Sequence, residues 1–508
     1  MYRENPGSNE DEIRMNALLS DKALKVLAVL MFAAVSIALY WGLPLSSSLW
    51  LDETITAWIA RAPLEILLER VAAYQGQSPL YFFCASLFVK SFGFSEFVLR
   101  APSLLAGLVT LLLLYRLSRH YFSVSASIFS VMVMLAQSEF VRALVSARPY
   151  MMALLFLLVT LLLLARWQRD RQGITLICAA MSFLVAFYLH YLLAVSLFPL
   201  IIAQILSSLQ KLRKNTCRTI LFIVAYTLLS LPGVLQIAEL SERLPIYSFA
   251  PAVSVSTFFK VLVPLEICVL FVTTFLLLFF FLPKGSCRVG RYSSTLCIFI
   301  ISLTTIPILS LLIISLSTGE SLLLGRYGLA ATIGVALLGA WLLDCLELQR
   351  TKWWGVVFLG ALLLINVRTW HHEDWRTSLT AIQAGQKTSS LILLYTGLSE
   401  SQSAHWLMND VAHEYLTTPV QIYAHGYAVL PIPRKVSELE FQEYLKTVVL
   451  PAVELKQNIY LIALRSSLEV REKKPSSVII SFQQLLQDRG FQRSSSTEEL
   501  VSSVEFHR

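Results

Sequence analysis

Charged residues are scarce in this chain of 508 residues, of which Asp, Glu, Lys and Arg together make up 15%. Soluble proteins carry about 25% charged residues, so the shortage excludes an ordinary soluble protein. Hydrophobic residues make up 56% of the chain, and the mean hydropathy is +0.65. The composition therefore predicts an integral membrane protein.

The C-terminal region lacks cysteines, and the chain lacks the common nucleotide-binding motifs. None of the seven cysteines lies after Cys345, so we expect no disulfide framework in the C-terminal region. No Walker loop or dinucleotide fingerprint is visible, which leaves a nucleotide-sugar donor without support. The net charge of +8 does not indicate nucleic acid, because the basic residues cluster in short loops between apolar runs.

Long apolar runs fill the first two thirds of the chain. About eleven of them are long enough to span a bilayer, with about twelve to thirteen spans as the alternative. The first lacks a small-residue cleavage site, so we expect a retained helix. A further run at 79–92 is short, which favours an interfacial position. The predicted spans are 22–44, 98–116, 123–142, 149–166, 173–190, 191–209, 218–239, 262–282, 294–316, 324–345 and 353–368.

Loop charges predict the orientation of these spans. With residues 1–21 as a cytoplasmic tail, the inner loops are basic and the outer loops hold most of the carboxylates, as the positive-inside rule requires. Treating 79–92 as a span would invert every later loop and break the rule. The pattern suits a bacterial inner membrane, and a eukaryotic reticulum membrane would give the same faces.

The chain changes character after the last predicted span. Residues 22–368 form the predicted transmembrane domain, with an external loop and interfacial helices at 46–96. In residues 369–508, apolar stretches at 391–395 and 459–464 are typical of buried strands between amphipathic helices. We therefore predict an α-helical polytopic membrane protein with a small C-terminal extracytoplasmic α/β domain. Residues 494–496 are interpreted as a turn or a frayed end.

Two adjacent carboxylates, Asp52 and Glu53, follow the first predicted span. Like charges are costly at a bilayer surface, where solvation is poor. Their presence therefore indicates a use for at least one of them. The alternative is a solvated loop in which Asp52 caps a short helix.

Other polar side chains collect at the predicted outer ends of later spans. Arg148 and Arg326 suit phosphate binding, and His190 lies in a tight outer hairpin. Simpler interpretations are snorkelling arginines, a satisfied histidine in a bundle, and an aromatic belt for the nearby tyrosines. Their convergence on one face favours a site. The residues that we expect to contact substrate are Gln77, Tyr81, Tyr150 and Tyr327.

The order and spacing of these residues resemble the GT-C superfamily of membrane glycosyltransferases, which includes protein O-mannosyltransferases and lipid A aminoarabinose transferases. The resemblance covers about 45–380. The segments that carry it are LWLDE at 49–53, SPLYF at 78–82, GFSEFVLRAPS at 93–103, ARPY at 147–150, LHY at 189–191, RY at 326–327 and DWR at 374–376.

The resemblance implies a lipid-phosphate-linked sugar donor and an outward-facing active site. It fixes neither the sugar nor the acceptor. Relatives often have a second carboxylate just before the Ala-Arg-x-Tyr motif, where this chain has Ser146. Glu139 lies two turns earlier, and whether it replaces that carboxylate is left open.

The chemistry assigns roles to these residues. An acceptor alcohol needs its proton removed, and a general base is worth about 10²–10⁴-fold. Asp52 is the predicted base, and Glu53 is the second choice. Glu53 could alternatively orient the acceptor or hold a divalent cation with Asp52. Arg326, followed by Arg148 and His190, is predicted to bind the departing phosphate.

No metal site is predicted at residues 371–374, because adjacent side chains rarely meet one ion with good geometry. This segment is interpreted as hydrated chain beside the membrane. A polyprenyl tail would lie in an apolar groove between helices, so membrane lipid is an expected partner.

The sequence therefore predicts transfer of a sugar from a polyprenyl-phosphate carrier to a hydroxyl of a protein, lipid or surface glycan. The alternative is a lipid or glycan transporter or flippase, which would be expected to show mid-membrane polar residues and paired half-helices. A third reading is a scaffold, but about eleven spans are more than an anchor needs.

Overall fold

The computed structural model describes residues 25–26, 28, 44–75, 77–209, 228–238, 254–262, 292–346, 349–365, 373–384, 390–402, 406–407, 409–424, 426–434, 437–465, 476–496 and 501–507. The chain divides into two compact units. The helical unit comprises Met1–Pro44, Ser103–Ser241 and Ser248–Trp370. The sheet unit comprises Leu45–Pro102, Glu242–Tyr247 and His371–Arg508.

Most of the described chain is helical. In chain order the α-helices are α1 (Leu51–Ala60), α2 (Leu64–Tyr74), α3 (Leu80–Phe92), α4 (Glu96–Tyr121), α5 (Val124–Ala136), α6 (Ser138–Leu144), α7 (Tyr150–Asp170), α8 (Gly173–Leu189), α9 (Tyr191–Leu209), α10 (Val255–Leu262), α11 (Ser294–Thr318), α12 (Ala331–Asp344), α13 (Gln349–Ile365), α14 (Trp375–Ala384), α15 (Asp410–Leu416), α16 (Thr418–Tyr423), α17 (Glu438–Tyr444), α18 (Leu450–Glu454) and α19 (Ser477–Asp488). A further apolar helix is described at Leu228–Ala238. Short 3-10 turns occupy Tyr327–Ala330 and Ser399–Gln402, and a π-helical turn occupies Leu445–Val449.

Four of the described helices are long and apolar enough to cross a membrane. They are α4, α7, α11 and the continuous segment Tyr327–Asp344, whose 3-10 turn leads into α12. Each coincides with a predicted span. The predicted spans 173–190 and 191–209 correspond to the apolar helices α8 and α9, and the predicted span 353–368 overlaps α13.

The number of spans stays a prediction. The predicted tail 1–21 lies outside the described residues. The predicted spans 22–44 and 262–282 lie almost entirely outside them, as does much of 218–239. The described helices and the C-terminal sheet nevertheless confirm the predicted fold class.

The predicted span 123–142 is not one straight helix. It is divided into α5 and α6, whose axes meet at 76°. Gln137 at the break has an extended backbone, and its buried amide Nε2 donates to the Thr332 carbonyl oxygen at 3.1 Å. A buried amide requires such a partner, so the polar residues after Ala136 redirect the chain. The bend places Glu139 in the first turn of α6.

The short apolar run at 79–92 forms α3. Leu80, Phe83 and Leu87 are exposed on one side of this helix, while Tyr81 and Phe82 are buried on the other. The exposed positions recur at i, i+3 and i+7, the spacing of one helix face. An exposed apolar face on a helix of 13 residues favours the predicted interfacial position.

The sheet unit contains a five-stranded mixed sheet, in the order β2-β1-β3-β5-β4. β1 is parallel to β2 and β3, whereas β5 is antiparallel to β3 and β4. The strands are β1 (Leu391–Tyr395), β2 (Ala428–Pro431), β3 (Asn458–Leu464), β4 (Gln492–Ser496) and β5 (Val501–His507). The predicted strands at 391–395 and 459–464 are confirmed as β1 and β3.

The interpretation of residues 494–496 as a turn or frayed end is wrong. They belong to β4, which pairs with β5 and includes a register shift between Arg493 and Ser495. β4 is an edge strand, and its residues Gln492 and Arg493 are exposed. It therefore lacks the buried apolar alternation by which strands are recognised in a sequence, and main-chain pairing with β5 holds it in the sheet.

Candidate active site

Asp52 and Glu53 lie in the first turn of α1, which begins at Leu51 after the extended residue Trp50. Carboxylates are favoured there because they face the positive end of the helix dipole. Asp52 is half-buried, and its backbone carbonyl accepts a hydrogen bond from Thr56. Glu53 is fully buried. The two neighbours therefore occupy different environments.

Glu53 is paired with Arg100, which is itself buried. Arg100 Nε donates to Glu53 Oε1 at 2.9 Å, and Nη2 donates to Oε2. Oε2 also accepts the backbone N–H of Trp50 at 3.3 Å. A buried carboxylate needs such compensation, and a two-point guanidinium contact supplies it with fixed geometry.

The remaining N–H groups of Arg100 hold the segment before α1. They donate to the carbonyl oxygens of Leu45 and Ser47 at 3.0 Å and of Ser48 at 3.1 Å. One side chain thus fixes both the loop and the first turn of the helix that carries Asp52. The sequence showed Arg100 only as a member of the motif at 93–103, with no indication of its partner 47 residues away.

Sequence reasoning missed a third carboxylate, Glu373. It accepts the Leu51 backbone N–H at 2.8 Å and the indole N–H of Trp375 at 2.8 Å. Burial raises the pKa of Glu373 to about 7; the charges of Asp52 and Glu53 act in the same direction, and the two hydrogen bonds oppose it. Glu373 is half-buried and accepts two hydrogen bonds, so it is more constrained than the predicted hydrated chain.

A sequence signal for Glu373 did exist. It is Trp375 two positions later, because tryptophan is highly buried on average and a buried indole N–H usually finds an acceptor. In the structure Trp375 is completely buried. The acceptor is the acidic side chain two residues earlier. Asp374 instead accepts the backbone N–H of Thr377 at 3.0 Å, at the start of α14.

The predicted substrate contacts Gln77 and Tyr81 also lie in the sheet unit. Tyr81 is fully buried in α3, with its ring edge-on to Phe82 at a centroid distance of 5.8 Å. Gln77 is half-buried just before that helix. The roles of both residues in substrate binding stay predictions.

In the helical unit, the structure brings four of the predicted site residues together around a fifth, His190. The His190 ring lies 4.9 Å from Tyr150 and 5.8 Å from Tyr327 between ring centroids. The Arg326 guanidinium carbon lies 5.4 Å from the Tyr327 ring centroid. Arg148 and Arg326 are near enough for their charges to act on His190. The cluster is therefore cationic and aromatic.

His190 is fixed by its position between α8 and α9. Its Nδ1 accepts the backbone N–H of Leu193 at 3.2 Å, which caps the first turn of α9. A neutral ring that accepts at Nδ1 carries its proton on Nε2. That nitrogen is buried and has no hydrogen-bond partner among the residues that the structure describes. The structure thus leaves a buried N–H donor within electrostatic reach of Arg148 and Arg326.

Glu139 approaches the chain segment that carries Arg326. A Cβ atom on Gly325 would lie 2.6 Å from the Glu139 carboxyl carbon, so only glycine permits this approach without displacement. Glu139 also pairs with Arg142 at 3.4 Å. Ser146 donates its hydroxyl to the Arg142 carbonyl oxygen at 2.6 Å. Replacement of the absent second carboxylate by Glu139 stays a prediction.

Within the described part of the chain, no group of three or more His, Cys, Asp or Glu side chains could hold a metal ion. His371 and His372 lie outside that part. A divalent cation between Asp52 and Glu53 stays an alternative for the sequence-predicted site.

The chain is similar to known proteins in part of its sequence and in its fold. Residues 76–233 match the family model described as dolichyl-phosphate-mannose-protein mannosyltransferase. The structure is similar to ArnT from Cupriavidus metallidurans in the apo state, with a TM-score of 0.50 and 12% identity over 95% of this chain and 98% of that chain. The structure of that ArnT bound to undecaprenyl phosphate gives a TM-score of 0.50 and 12% identity over 94% and 97%. No curated protein sequence matches the chain significantly.

ArnT is a GT-C glycosyltransferase, and at 12% identity its likeness to this chain concerns the fold. The family match falls on the segment that contains the motifs at 78–82, 93–103, 147–150 and 189–191. The fold and the motifs thus agree, and they confirm the resemblance of this chain to the GT-C superfamily of membrane glycosyltransferases.

Proposed function

We propose that the protein transfers a sugar from a polyprenyl-phosphate carrier to an acceptor hydroxyl at the outer face of a bacterial inner membrane. The observation that carries the proposal is the buried Nε2–H of His190 beside the guanidinium groups of Arg148 and Arg326. Such donors suit the oxygens of a phosphate. The undecaprenyl phosphate bound to ArnT supports a carrier of the same chemical kind.

In the proposed reaction, the acceptor oxygen attacks the anomeric carbon of the sugar. The bond from that carbon to the phosphate oxygen breaks, and its electron pair leaves with the polyprenyl phosphate. Asp52 takes the proton of the acceptor hydroxyl. The phosphate group gains charge as it leaves, so Arg326, Arg148 and His190 stabilise it more strongly in the transition state than in the donor.

Glu53 acts as a positioning residue rather than the base. Both of its oxygens are engaged by Arg100, which keeps its charge compensated and its geometry fixed. Asp52 has the more accessible carboxylate of the two. The different roles of Asp52 and Glu53 follow from the greater exposure of Asp52 and the pairing of Glu53 with Arg100.

The acceptor is a hydroxyl of a protein, a lipid or a surface glycan. Mass spectrometry of lipid-linked sugars and surface glycans, from cells with and without the gene, tests the proposal and identifies both substrates. We expect the deletion to accumulate a sugar-charged polyprenyl phosphate and to lose one glycan product. Unchanged profiles of both would contradict the proposal.

The purified protein separates the enzyme from a flippase or a scaffold. In detergent micelles, which have no two sides, the enzyme should release free polyprenyl phosphate when the identified donor and acceptor are both present. A flippase or a scaffold would release none. An Asp52→Asn protein that is produced at the wild-type level should reproduce the deletion profile in cells.

A further inference from the structure

A cavity of about 310 Å³ lies apart from the residues that the proposed reaction uses. It is lined by the C-terminal ends of α4 and α7, both within the helical unit. Its size falls in the range of small-ligand sites, about 300–1,000 Å³. The lining residues are Arg116, Leu117, Arg119, His120, Leu162, Ala165 and Arg169.

The polar lining of this cavity is entirely basic. Three guanidinium groups and one imidazole contribute to it, and no carboxylate is among the lining residues. Arg169 Nη2 lies 3.4 Å from His120 Nδ1, and Arg119 is held by a hydrogen bond to the Phe122 carbonyl oxygen. Several cationic groups around one cavity are an environment for an anion.

The nearby carboxylate is engaged elsewhere. Asp170 accepts hydrogen bonds from Arg166 Nε at 3.3 Å, Thr175 Oγ1 at 3.0 Å and the Gln172 backbone N–H at 3.0 Å. These contacts close the turn between α7 and α8. Asp170 therefore stabilises the turn, and it is not one of the cavity-lining side chains.

Cations at a helix C-terminus have a simpler explanation, because they complement the helix dipole. That explanation needs no cavity, and it does not require two helices to direct their basic residues to one place. Arg116, Arg119 and His120 are spaced at i, i+3 and i+4 on α4, while Leu162, Ala165 and Arg169 are spaced at i, i+3 and i+7 on α7. Each set occupies one face of its helix.

The arginines of α4 continue an exposed apolar stripe. Leu105, Leu108 and Leu112 are 51%, 49% and 65% exposed. They precede Arg116 and Arg119 at successive spacings of three or four residues, so all five lie on one face of the helix. An apolar stripe that ends in a basic cavity matches the two parts of an anionic lipid.

We propose that this cavity binds the phosphodiester headgroup of an anionic bilayer phospholipid. Arg116, Arg119 and Arg169 hold the phosphate oxygens, and an acyl chain lies along Leu105, Leu108 and Leu112. Basic pockets between the ends of transmembrane helices bind such headgroups in membrane proteins. Loop charges predict that this end is cytoplasmic, where anionic lipid is available. The proposal is independent of the transferase reaction.

Lipid binding to the purified full-length protein tests the proposal. The probes are phosphatidylglycerol and phosphatidylcholine with identical acyl chains, offered in equal amounts in detergent micelles, and bound lipid is counted by native mass spectrometry. We expect the wild-type protein to prefer phosphatidylglycerol by about 10²-fold, because the three arginines near the headgroup each contribute about 1 kcal/mol. Equal binding of the two lipids would overturn the proposal.

Three variants locate the preference. Arg116→Gln/Arg119→Gln/Arg169→Gln should abolish it. Arg166→Gln, at an exposed position of α7 that does not line the cavity, should retain it. Ala165→Phe fills the cavity without a change of charge, and it should also abolish the preference. Loss in Arg166→Gln equal to that in the triple variant would overturn the proposal in favour of a diffuse surface charge.

Ala165→Phe keeps the test decisive if the triple variant fails to fold. A folded Ala165→Phe protein that keeps the full preference for phosphatidylglycerol would place lipid binding elsewhere and overturn the proposal. Inorganic phosphate distinguishes the two sources of the anion. Millimolar phosphate should leave lipid binding unchanged, and displacement of phosphatidylglycerol by phosphate would identify a free-anion site instead.

Discussion

Arg100 donates to both carboxylate oxygens of Glu53, although the two side chains are only 1% and 0% exposed. The same guanidinium group holds three backbone carbonyl groups of the preceding loop. The position of Asp52, one residue before Glu53, therefore depends on an arginine in another helix.

Replacement of Arg100 by Gln should destabilise the protein by about 3–5 kcal/mol, because it leaves the Glu53 charge buried without its partner. The measurement is thermal unfolding of the purified protein in detergent. Arg489→Gln is the matched control, since the Arg489–Glu454 pair is 39% and 56% exposed and should be worth about 0–1 kcal/mol. Equal melting temperatures of the two variants would show that the buried pair is not needed for stability.

Asp52→Asn should reduce transfer by about 10²–10⁴-fold, the usual contribution of a general base. Asn keeps the size of the side chain and its place in the first turn of α1, so melting temperature should stay close to that of the wild type. The rate is measured as polyprenyl phosphate released with the donor found by mass spectrometry. Full activity of Asp52→Asn would remove this residue from the mechanism.

The pKa of Glu373 predicts how stability changes with pH. The value is raised from 4.5 to about 7, so between these values the folded protein holds a proton that the unfolded chain has lost. The contribution of Glu373 to stability is thus fully present below about pH 4.5 and is lost as the pH rises through about 7. Glu373→Gln should flatten this decline in melting temperatures measured from pH 4.5 to pH 8.

Asp374→Asn is the control for the pH experiment. It removes the adjacent carboxylate, while Asn can still accept the hydrogen bond from Thr377 at the start of α14. The slope of stability against pH should therefore match that of the wild type. If Glu373→Gln kept the wild-type slope as well, another group would be responsible for it.

His190→Phe should weaken binding of undecaprenyl phosphate by about tenfold or more, because hydrogen bonds to charged groups are worth about 1.5–3 kcal/mol. Binding is measured by titration of the lipid phosphate into the purified protein. His190→Asn retains an acceptor that can cap α9 but lacks the donor at the Nε2 position. Weak binding by a stable Asn variant would attribute the loss to that donor, whereas wild-type affinity in both variants would exclude it.

Two glycines in the helical unit differ in their surroundings. A Cβ on Gly334 would lie 2.4 Å from the Thr304 backbone nitrogen, whereas a Cβ on Gly173 would meet nothing within 4 Å. Gly334→Ala should push α11 and α12 apart at a cost of about 1–3 kcal/mol. Gly173→Ala, at the first residue of α8, should be neutral or stabilise by about 0.4–1 kcal/mol. Melting temperatures in the reverse order would contradict the close approach of the two helices.

The sequence predicted those features that have a clear local pattern of polar and apolar residues. Asp52 and Glu53 stand out because carboxylates are rare beside apolar runs, and β1 and β3 are buried apolar stretches. The partners of these residues were not predictable in the same way. Glu53 meets Arg100 across 47 positions, and Glu373 meets Leu51 across 322, so only the folded chain reveals either pair.

Elements without a burial pattern escaped prediction for a related reason. β4 is an edge strand whose side chains carry no apolar alternation, and backbone pairing with β5 alone defines it. At the division between α5 and α6, Gln137 donates a hydrogen bond to the carbonyl oxygen of Thr332, 195 residues later in the chain. Local patterns predict local structure, and these features depend on distant partners.

The order of strands in the sheet determines how the protein tolerates changes at its C-terminal strand. β5 lies inside the sheet, with β3 on one side and β4 on the other. Premature termination or carboxypeptidase trimming that reaches Val501 would remove an interior strand and strip two neighbours of their main-chain bonds. Affinity tags and reporter fusions at this terminus should therefore follow a flexible spacer, and clipped material should be lost to quality-control proteases.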